Sequence, residues 1–295
     1  MKSGFASIIG RPNTGKSTLL NSIIEAKVAI TSDIAGTTRN TIEGIYNDED
    51  SQIIFIDTPG IHKPINRLGK ILNRESYSML TNVDVILFLV DASSSIGKGD
   101  EFIIRALKNN DVPVILVLNK IDKINDEQLY NKINEYKDKY SFADIVPVSA
   151  LKDENIKELI KVVKNYMSDN IRYYDDNTIT NLHPKFMISE MVREKVLHLT
   201  ENEVPHSVSC VTTHYDVKDN IVEAYVDIIV DRDSLKKIII GKNGAMIKNI
   251  GTLAREDIES MFQKKVYLEL YCRTIPKWRD RENYLKELGY SKNNE

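Results

Sequence analysis

The stretch GRPNTGKS at residues 10–17 decides the fold of the first half of the chain. An apolar run at residues 5–9 precedes it, and a helical pattern at residues 18–25 follows it. In this order a buried strand leads into a loop whose backbone N–H groups wrap a polyphosphate, and the next helix points its positive end at the same group. The pattern predicts a phosphate-binding loop, although the loop alone does not identify the nucleotide.

Two side chains in this loop have roles that follow from their chemistry. Lys16 is expected to reach the β- and γ-phosphates, and the hydroxyl of Ser17 to ligate Mg²⁺. The nucleotide-binding residues predicted from this segment are Gly10, Arg11, Pro12, Asn13, Thr14, Gly15, Lys16, Ser17 and Thr18.

The sequence NKID, which follows the apolar run at residues 114–118, predicts the base of the nucleotide. The carboxylate of Asp122 matches the N1 and N2 donors of guanine, whereas adenine leaves it unpaired at a cost of about 1–3 kcal/mol. Asn119 is expected to connect this loop to the phosphate loop, and the stem of Lys120 to lie along the base plane. A backbone N–H for guanine O6 is expected from the segment Ser149, Ala150 and Leu151, which follows an apolar run.

The sequence DTPG comes directly after a strand pattern at residues 52–56. It places the Asp57 carboxylate at the end of a strand, where it would hold Mg²⁺ through water. The N–H of Gly60 can bond a γ-phosphate, so this loop should rearrange when that phosphate leaves. The nucleotide-binding residues predicted here are Asp57, Thr58, Pro59 and Gly60. Four motifs in this order, each at a strand end, predict a P-loop GTPase domain, an α/β fold with a mostly parallel sheet flanked by helices.

Longer stretches resemble the Era family of bacterial GTPases. The sequence DTPGIHKP at residues 57–64, followed by Leu68 and Gly69, is similar to the switch II region of that family. The C-terminal stretch around PKWRD at residues 276–280 and the stretch EVPHS at residues 203–207 are also similar to it. The resemblance therefore covers nearly the whole chain.

The sequence GTTR at residues 36–39 resembles the switch I signature of a wider group that also contains the tRNA-modification GTPase MnmE. In that group the threonine before the arginine closes over Mg²⁺, so the resemblance assigns this role to Thr38 rather than Thr37. Era proteins usually have glutamine where this chain has Gly36, and switch I distinguishes the two relatives less well for that reason.

The means of hydrolysis is the least conventional part of the predicted site. Ile61 stands where Ras-like GTPases carry a water-orienting glutamine, and it cannot hydrogen-bond water. The resemblance implies that Asn13 and backbone carbonyls of switch I hold a K⁺ in place of an arginine finger; the alternative is that Asn13 only stiffens the loop. We expect turnover on the order of 10⁻⁴ to 10⁻² s⁻¹, faster in K⁺ than in Na⁺. The predicted catalytic residues are Lys16, Thr38, Asp57, Gly60 and Asn13.

Length and composition set limits on the protein class. With 295 residues the chain is long enough for two domains, and its 42% hydrophobic and 28% charged residues are ordinary for a globular protein. No apolar run approaches the ~18 residues of a membrane span. The start of the chain lacks a signal-peptide core, and Cys210 and Cys272 have no spacing for zinc or a disulfide framework, so the sequence predicts a cytoplasmic protein.

The second half of the chain has a different pattern. A polar stretch ending in His183-Pro184 marks a linker, and we expect a GTP-binding domain at residues 1–168, a linker at 169–184 and a second domain with a C-terminal tail at 185–295. After the linker come a helix, two strands, a helix, the loop GKNG, a helix and a strand. This order resembles a type II KH domain, an α+β fold.

The loop GKNG at residues 241–244 predicts contact with RNA. Its two glycines allow a nucleic-acid backbone to approach, and an adjoining apolar groove can receive unstacked bases. The net charge of −3 argues against nucleic-acid binding over the whole surface, but residues 236–281 contain eleven Lys or Arg against five Asp or Glu. The predicted RNA-binding residues are Ile240, Gly241, Lys242, Asn243, Gly244, Ile247, Lys248, Arg273, Lys277, Trp278 and Arg279, with Trp278 either stacking on a base or packing in the core.

The resemblance implies a function as well as a fold. It implies a monomeric GTPase that uses GTP/GDP, Mg²⁺ and K⁺ and binds 16S rRNA near its 3′ end during assembly of the 30S ribosomal subunit, without binding DNA. Era relatives also associate peripherally with the membrane, although this chain shows no strongly amphipathic basic helix. Two alternatives stay open: a tRNA-modification GTPase, disfavoured because nothing precedes the GTP-binding domain and no C-terminal cysteine motif is present, and an RNA-binding adaptor that senses GTP without hydrolysing it efficiently.

Overall fold

The computed structural model describes residues 1–34, 36–61, 64 and 66–290. The chain divides into two compact units, one formed by Met1–Pro64 and Gly69–Asn181, the other by Ile65–Leu68 and Leu182–Glu295. His62 and Lys63, which belong to the stretch that resembles switch II, lie outside the described residues. In the part of the chain that the structure describes, no helix combines the length and the apolarity needed to cross a bilayer.

The first unit is a six-stranded sheet with helices between the strands. Its order is β2-β3-β1-β4-β5-β6, and every pairing is parallel except the antiparallel pair of β2 and β3. Strands β3, β4 and β5 are buried almost throughout, as expected where helices cover both faces. The strands are β1 Lys2–Ile9, β2 Ile42–Asn47, β3 Ser51–Asp57, β4 Val85–Asp91, β5 Val114–Asn119 and β6 Asp144–Pro147, and the helices are α1 Lys16–Ile24, α2 Arg67–Ser78, α3 Lys98–Leu107, α4 Asp126–Lys137 and α5 Ile156–Lys164, with a 3₁₀ turn at Ile121–Lys123.

The topology brings the predicted nucleotide motifs to one edge of this sheet. The phosphate loop follows β1, DTPG follows β3, NKID overlaps the end of β5, and the segment from residue 149 follows β6. Because these four strands run parallel, their carboxyl ends lie together, where ligands of open α/β sheets bind. The predicted α/β domain with a mostly parallel sheet is confirmed.

Most of the stretch at residues 169–181 pairs with the first unit. Ser3 forms an antiparallel bridge with Asp169. The fully buried side chain of Gln52 accepts from the N–H groups of Tyr173 and Tyr174 at 2.7 and 3.0 Å and donates to the carbonyl of Tyr174 at 2.9 Å. One amide thus satisfies three backbone groups, which holds this polar stretch against the sheet.

The second unit is a three-stranded sheet with helices packed on one face. Strand β8 pairs antiparallel with β7 and parallel with β9. The described elements are α6 Pro184–Leu199, α7 Val204–Ser207, β7 Ser209–Val217, β8 Ile221–Val230, α8 Asp233–Ile240, a 3₁₀ turn at Lys242–Gly244, α9 Ala245–Phe262, β9 Lys265–Thr274, a 3₁₀ turn at Trp278–Asp280 and α10 Glu282–Glu287. The predicted order of elements and the predicted α+β KH fold are confirmed.

The burial of side chains alternates along β8 and shows which face of this sheet the helices cover. Val222, Ala224, Val226 and Ile228 are fully buried. Helices α6 and α8 contact β8, and α9 packs against α6, α8 and β9. Residues of opposite parity point to the other face, as the period of two requires.

Candidate functional site

The phosphate loop is held in shape by close backbone contacts. Gly15 has φ +96°, and a Cβ there would lie 2.3 Å from the Nδ2 of Asn119. A Cβ on Gly10 would lie 2.4 Å from the carbonyl oxygen of Leu89. A side chain at Gly10 would push against the backbone of β4, and one at Gly15 would push against the amide of Asn119, which is the physical reason for glycine in both.

Lys16 lies inside the loop that it is expected to serve. Its Nζ donates to the carbonyl oxygens of Gly10 and Arg11 at 3.3 and 2.9 Å. Burial lowers the pKa of Lys16 to about 8, while the nearby charge of Asp57 acts in the opposite direction. The ammonium is therefore an internal cation at the point where the phosphates are expected.

Three oxygen-bearing side chains meet beside Lys16. Ser17 Oγ donates to Asp57 Oδ2 at 2.7 Å and lies 2.8 Å from Thr38 Oγ1. Thr37 instead donates to the carbonyl of Ile34 at 2.6 Å. Of the two neighbouring threonines, it is therefore Thr38 that stands next to Ser17 and Asp57.

The carboxyl group of Asp57 is fully buried, and this burial raises its pKa to about 6 against the charge of Lys16 and the hydrogen bonds from Ser17 and Thr38. Its Oδ1 accepts no hydrogen bond from any residue that the structure describes. An orphaned carboxylate oxygen beside two hydroxyls is a hard, all-oxygen donor set, which fits Mg²⁺.

One amide connects the loops that form the guanine side of the site. Asn119 Nδ2 donates to the carbonyl of Thr14 at 2.8 Å, and its Oδ1 accepts from the N–H of Ala150 at 2.9 Å. The predicted link between NKID and the phosphate loop is thus present. It also uses the N–H of Ala150, one of the three N–H groups expected to reach guanine O6.

Asp122 and Lys120 lie on the same side of the site. Ser149 Oγ donates to Asp122 Oδ1 at 2.6 Å, which orients the predicted guanine-selecting carboxylate. Lys120 has φ +67°, and its Nζ donates to the carbonyl of Asn13 at 2.8 Å and pairs with Asp91 at 2.7 Å. Lys120 therefore ties the phosphate loop to the end of β4.

Sequence reasoning missed the anchor of the phosphate loop on α3. The Nε of Arg11 lies 2.9 Å from Oδ1 of the fully buried Asp100, and its Nη2 donates to Ser94 Oγ at 3.1 Å. Asp100 also accepts from the N–H of Gly97 at 2.9 Å. Arg11 was predicted only as a member of the loop; the structure directs its guanidinium away to α3.

Asn13, Gly60 and several other residues of the phosphate loop line one cleft. The cleft is lined by Pro12, Asn13, Gly15, Lys16, Ser17, Thr18, Thr37, Thr38 and Gly60, with residues of the segment before switch I. The exposed Asn13 donates through Nδ2 to the carbonyl of Asp33 at 2.6 Å. A Cβ on Gly60 would lie 3.0 Å from Pro12, so DTPG and the phosphate loop are in close contact.

The loop GKNG in the second unit presents its middle residues to solvent. Gly241 and Gly244 have φ +72° and +77°, and Lys242 and Asn243 between them are exposed. A Cβ on Gly241 would lie 2.7 Å from the Cβ of Met246, whereas one on Gly244 would meet open space. Beside the loop, Ile240 and Ile247 are half-buried and Lys248 is exposed. Their contact with RNA stays a prediction.

The prediction that Trp278 contacts RNA is wrong in this structure. Trp278 is 0% exposed, its Nε1 donates to the carbonyl of Ser207 at 2.9 Å, and its ring stacks on Tyr290 with centroids 6.0 Å apart. A ring with no exposed surface cannot stack on a base, so Trp278 is a core residue.

The basic residues around Trp278 differ in their surroundings. Arg279 pairs with Asp231 and donates to the carbonyl of His206 at 2.9 Å. Arg273 pairs with Asp227 at 2.7 Å with most of its side chain exposed, and Lys277 is exposed. Their contact with RNA stays a prediction.

Comparison with known proteins agrees with both halves of the chain. A family model described as 50S ribosome-binding GTPase matches residues 5–120, and one described as KH domain matches residues 203–279. Fold and site together define the class: a P-loop GTPase domain followed by a KH domain.

Two solved structures identify the family. One is a point variant of Aquifex aeolicus Era bound to GDP and AlF₄⁻, and the other is Era in complex with MgGDPNP and nucleotides 1506–1542 of 16S ribosomal RNA. Each is 40% identical to this chain and has a TM-score of 0.96. Each alignment includes 99% of this chain and 100% of the solved chain. The chain belongs to the Era family of GTPases, which confirms the resemblance.

Proposed function

We propose that this chain hydrolyses GTP to GDP and phosphate and binds 16S rRNA near its 3′ end through the KH domain, during assembly and maturation of the 30S subunit. The observation that carries the proposal is the family member solved with MgGDPNP and 16S rRNA nucleotides, together with the exposed GKNG loop of this chain. We further propose that it acts as a cytoplasmic monomer, with at most a peripheral contact with the membrane.

In this proposal Ser17, Thr38 and Asp57 hold Mg²⁺, with Asp57 acting through water. When bound, the ion neutralises charge on the β- and γ-phosphates. Lys16 exchanges its carbonyl partners for phosphate oxygens, and Gly60 offers its N–H to the γ-phosphate. Loss of that phosphate removes the contacts of Thr38 and Gly60, so the two switch segments are expected to rearrange.

The base side of the site selects guanine. Asp122, oriented by Ser149, accepts from guanine N1 and N2, and the segment from Ser149 to residue 151 supplies the N–H for O6. Asn119 keeps this segment and the phosphate loop at a fixed distance.

The absence of a water-orienting side chain at position 61 supports slow, cation-assisted hydrolysis. Ile61 is 2% exposed and apolar. Asn13 stands at the rim of the cleft, bonded to the segment before switch I, where its amide oxygen and backbone carbonyls could share a K⁺. Multiple-turnover hydrolysis should be faster in KCl than in NaCl, and Asn13→Ala should remove the difference; equal rates in both salts would refute the K⁺ site.

The RNA proposal is tested by binding of a labelled 16S 3′-end oligonucleotide to the full chain with GDPNP or GDP. We expect tighter binding with GDPNP, and loss of binding in the Gly241→Asp, Gly244→Asp double variant. Asn202→Asp is the matched control, because it adds an acid at an exposed, positive-φ position of the same unit. If the RNA affinity is the same with both nucleotides and in the glycine double variant, the GKNG loop is not the RNA-binding site.

The burial of Ile61 also favours a second candidate, an RNA-binding adaptor that senses GTP without efficient hydrolysis. This candidate and the GTPase differ in one measurement. Release of many phosphates per protein molecule in KCl would exclude the adaptor, and a single turnover would favour it.

A further inference from the structure

The sheet of the KH domain has one face on which large aromatic side chains are exposed. Helices cover the face of the sheet to which β8 contributes Val222, Ala224, Val226 and Ile228. The opposite face carries Tyr267 and Tyr271, which are 47% and 51% exposed. Clustered exposed aromatics mark interaction sites more often than single ones. We call the group of His214, Tyr225, Tyr267, Glu269 and Tyr271 the tyrosine face.

Strand register brings these side chains together. Tyr225 lies directly opposite His214 on β7 and opposite Glu269 on β9. The rings of His214 and Tyr225 are 4.7 Å apart, and those of Tyr225 and Tyr267 are 6.4 Å apart in an edge-to-face arrangement. Residues directly opposite on neighbouring strands share a face, so the five side chains form one surface across three strands.

Glu269 is the anionic centre of this surface. The hydroxyl groups of Tyr267 and Tyr271, two residues before and after it on β9, both donate to its carboxylate. These two hydrogen bonds lower the pKa of Glu269. The carboxylate is therefore ionised at neutral pH and fixed between two exposed rings.

Two cationic side chains near the centre already have acidic partners. Arg273 pairs with Asp227 at 2.7 Å, and Lys218 pairs with Glu223 at 2.7 Å. Glu269 makes its contacts with neutral phenols instead. A phosphate backbone would meet a carboxylate here, which is unfavourable, whereas a cation would meet a carboxylate flanked by π-faces.

We propose that the tyrosine face binds an arginine-containing segment of a protein partner. A guanidinium can fork onto the Glu269 carboxylate and stack on a tyrosine ring at the same time, which a compact ammonium cannot do. Cation–π contact and a charge-assisted hydrogen bond each strengthen such binding. This surface is separate from the GKNG loop in sequence and in the elements that carry it.

The test uses the full chain with GDP and Mg²⁺ and a fluorescent Gly-Arg repeat peptide as the probe. We expect saturable binding, weakened about tenfold by Glu269→Gln and about fivefold by Tyr271→Ala. A Gly-Lys repeat peptide of equal charge should bind several-fold more weakly. Tyr130→Ala is the matched control, since Tyr130 is 67% exposed on α4 of the other unit.

Two further readouts make the outcome decisive. GDP affinity and the thermal transition should be unchanged in the Glu269 and Tyr271 variants, which separates loss of binding from loss of folding. Peptide binding that is equal in the wild type, Glu269→Gln and Tyr271→Ala overturns the proposal. So does a polyuridine oligonucleotide that binds in the wild type and is lost in Tyr271→Ala, because the face would then be a base-stacking surface.

Discussion

Asn119 spans the phosphate loop and the segment after β6 with one amide. Its two hydrogen bonds, to Thr14 and from Ala150, leave two buried backbone groups without those partners when the amide is removed. We expect Asn119→Ala to weaken GDP binding by about tenfold or more, since each lost bond is worth about 0.5–1.5 kcal/mol. Titration with a fluorescent GDP analogue measures this.

The control for this prediction is Asn134→Ala, because Asn134 is exposed on α4. Equal GDP affinity in Asn119→Ala and in the control would mean that the two loops keep their positions without the amide.

If Asp57 helps to hold Mg²⁺ as proposed, binding of the ion should depend on pH. Because burial raises its pKa to about 6, the carboxyl group of the metal-free protein is protonated below that pH. A proton competes with a cation for the same group, so the affinity for Mg²⁺ should fall as the pH drops through about 6. The measurement is the Mg²⁺ concentration that half-saturates GTP-analogue binding at about pH 5.5 and about pH 7.5.

Asp57→Asn supplies the reference for this titration. The variant should require more Mg²⁺ at both pH values and show little dependence on pH. If the wild type requires the same Mg²⁺ concentration at both pH values, the pKa of Asp57 does not lie between them.

At the scale of single residues, the sequence predicts groups whose roles depend on local spacing. The connection through Asn119 follows from the motif alone. The partner of Arg11 does not, because Asp100 is far away along the chain and nothing in the spacing links the two. Trp278 shows the same limit: an aromatic among arginines is typical of an RNA-binding surface, and only tertiary packing against Ser207 and Tyr290 buries it.

Helix α6 carries a buried ion pair inside the KH domain. Arg193 is fully buried, and its guanidinium forms two hydrogen bonds to the Glu190 carboxylate, at 2.7 and 2.5 Å. Removing one partner leaves an uncompensated buried charge, so Arg193→Met should lower the free energy of unfolding of this unit by about 3–5 kcal/mol. Denaturation in urea measures the change.

Two further variants test the cause of that loss. Lys185→Met, at an exposed position in the first turn of the same helix, should have little effect. Adding Glu190→Gln to Arg193→Met should recover part of the stability, because no charge is then left unpaired. A double variant as unstable as Arg193→Met would attribute the loss to packing.

Where the apolar periodicity is strong, the observed bounds of an element agree closely with the bounds predicted from the sequence. The alternating apolar pattern predicts strands at residues 207–216 and 221–230. Strand β8 has the second pair of bounds, whereas β7 covers Ser209–Val217. The reason is the short helix α7, which starts at Val204 with Pro205 in its first turn and takes up the residues before the strand. A four-residue helix has too few residues for a period to be read from the sequence.

At the scale of the whole molecule, each unit has its own core, and this leads to a prediction. The second unit buries residues of α6, β8 and α9 among themselves. A fragment of residues 182–295 should therefore fold alone and bind the 16S 3′-end oligonucleotide. Its affinity should be the same with GDPNP and GDP, whereas that of the full chain should differ.

Circular dichroism and binding titrations of the fragment check this. A fragment that folds but does not bind would place part of the RNA site on the first unit. An unfolded fragment would show that the second core depends on the first unit.

The division into two domains was visible in the sequence because the nucleotide motifs occupy only the first half. The sequence does not show that residues 169–181 pack on the first unit, because their polar composition is typical of a linker. Gln52 on β3 forms hydrogen bonds with three backbone groups of Tyr173 and Tyr174. No pattern in the sequence around Gln52 indicates these bonds.

The burial of Trp278 gives the molecule an internal optical reporter. It is the single tryptophan of the chain, and it lies fully enclosed against Tyr290 in the second unit. Its fluorescence should be blue-shifted in the native state and shift to the red only when that unit opens. A fluorescent nucleotide reports on the first unit, so the opening of each half can be followed separately in one unmodified protein.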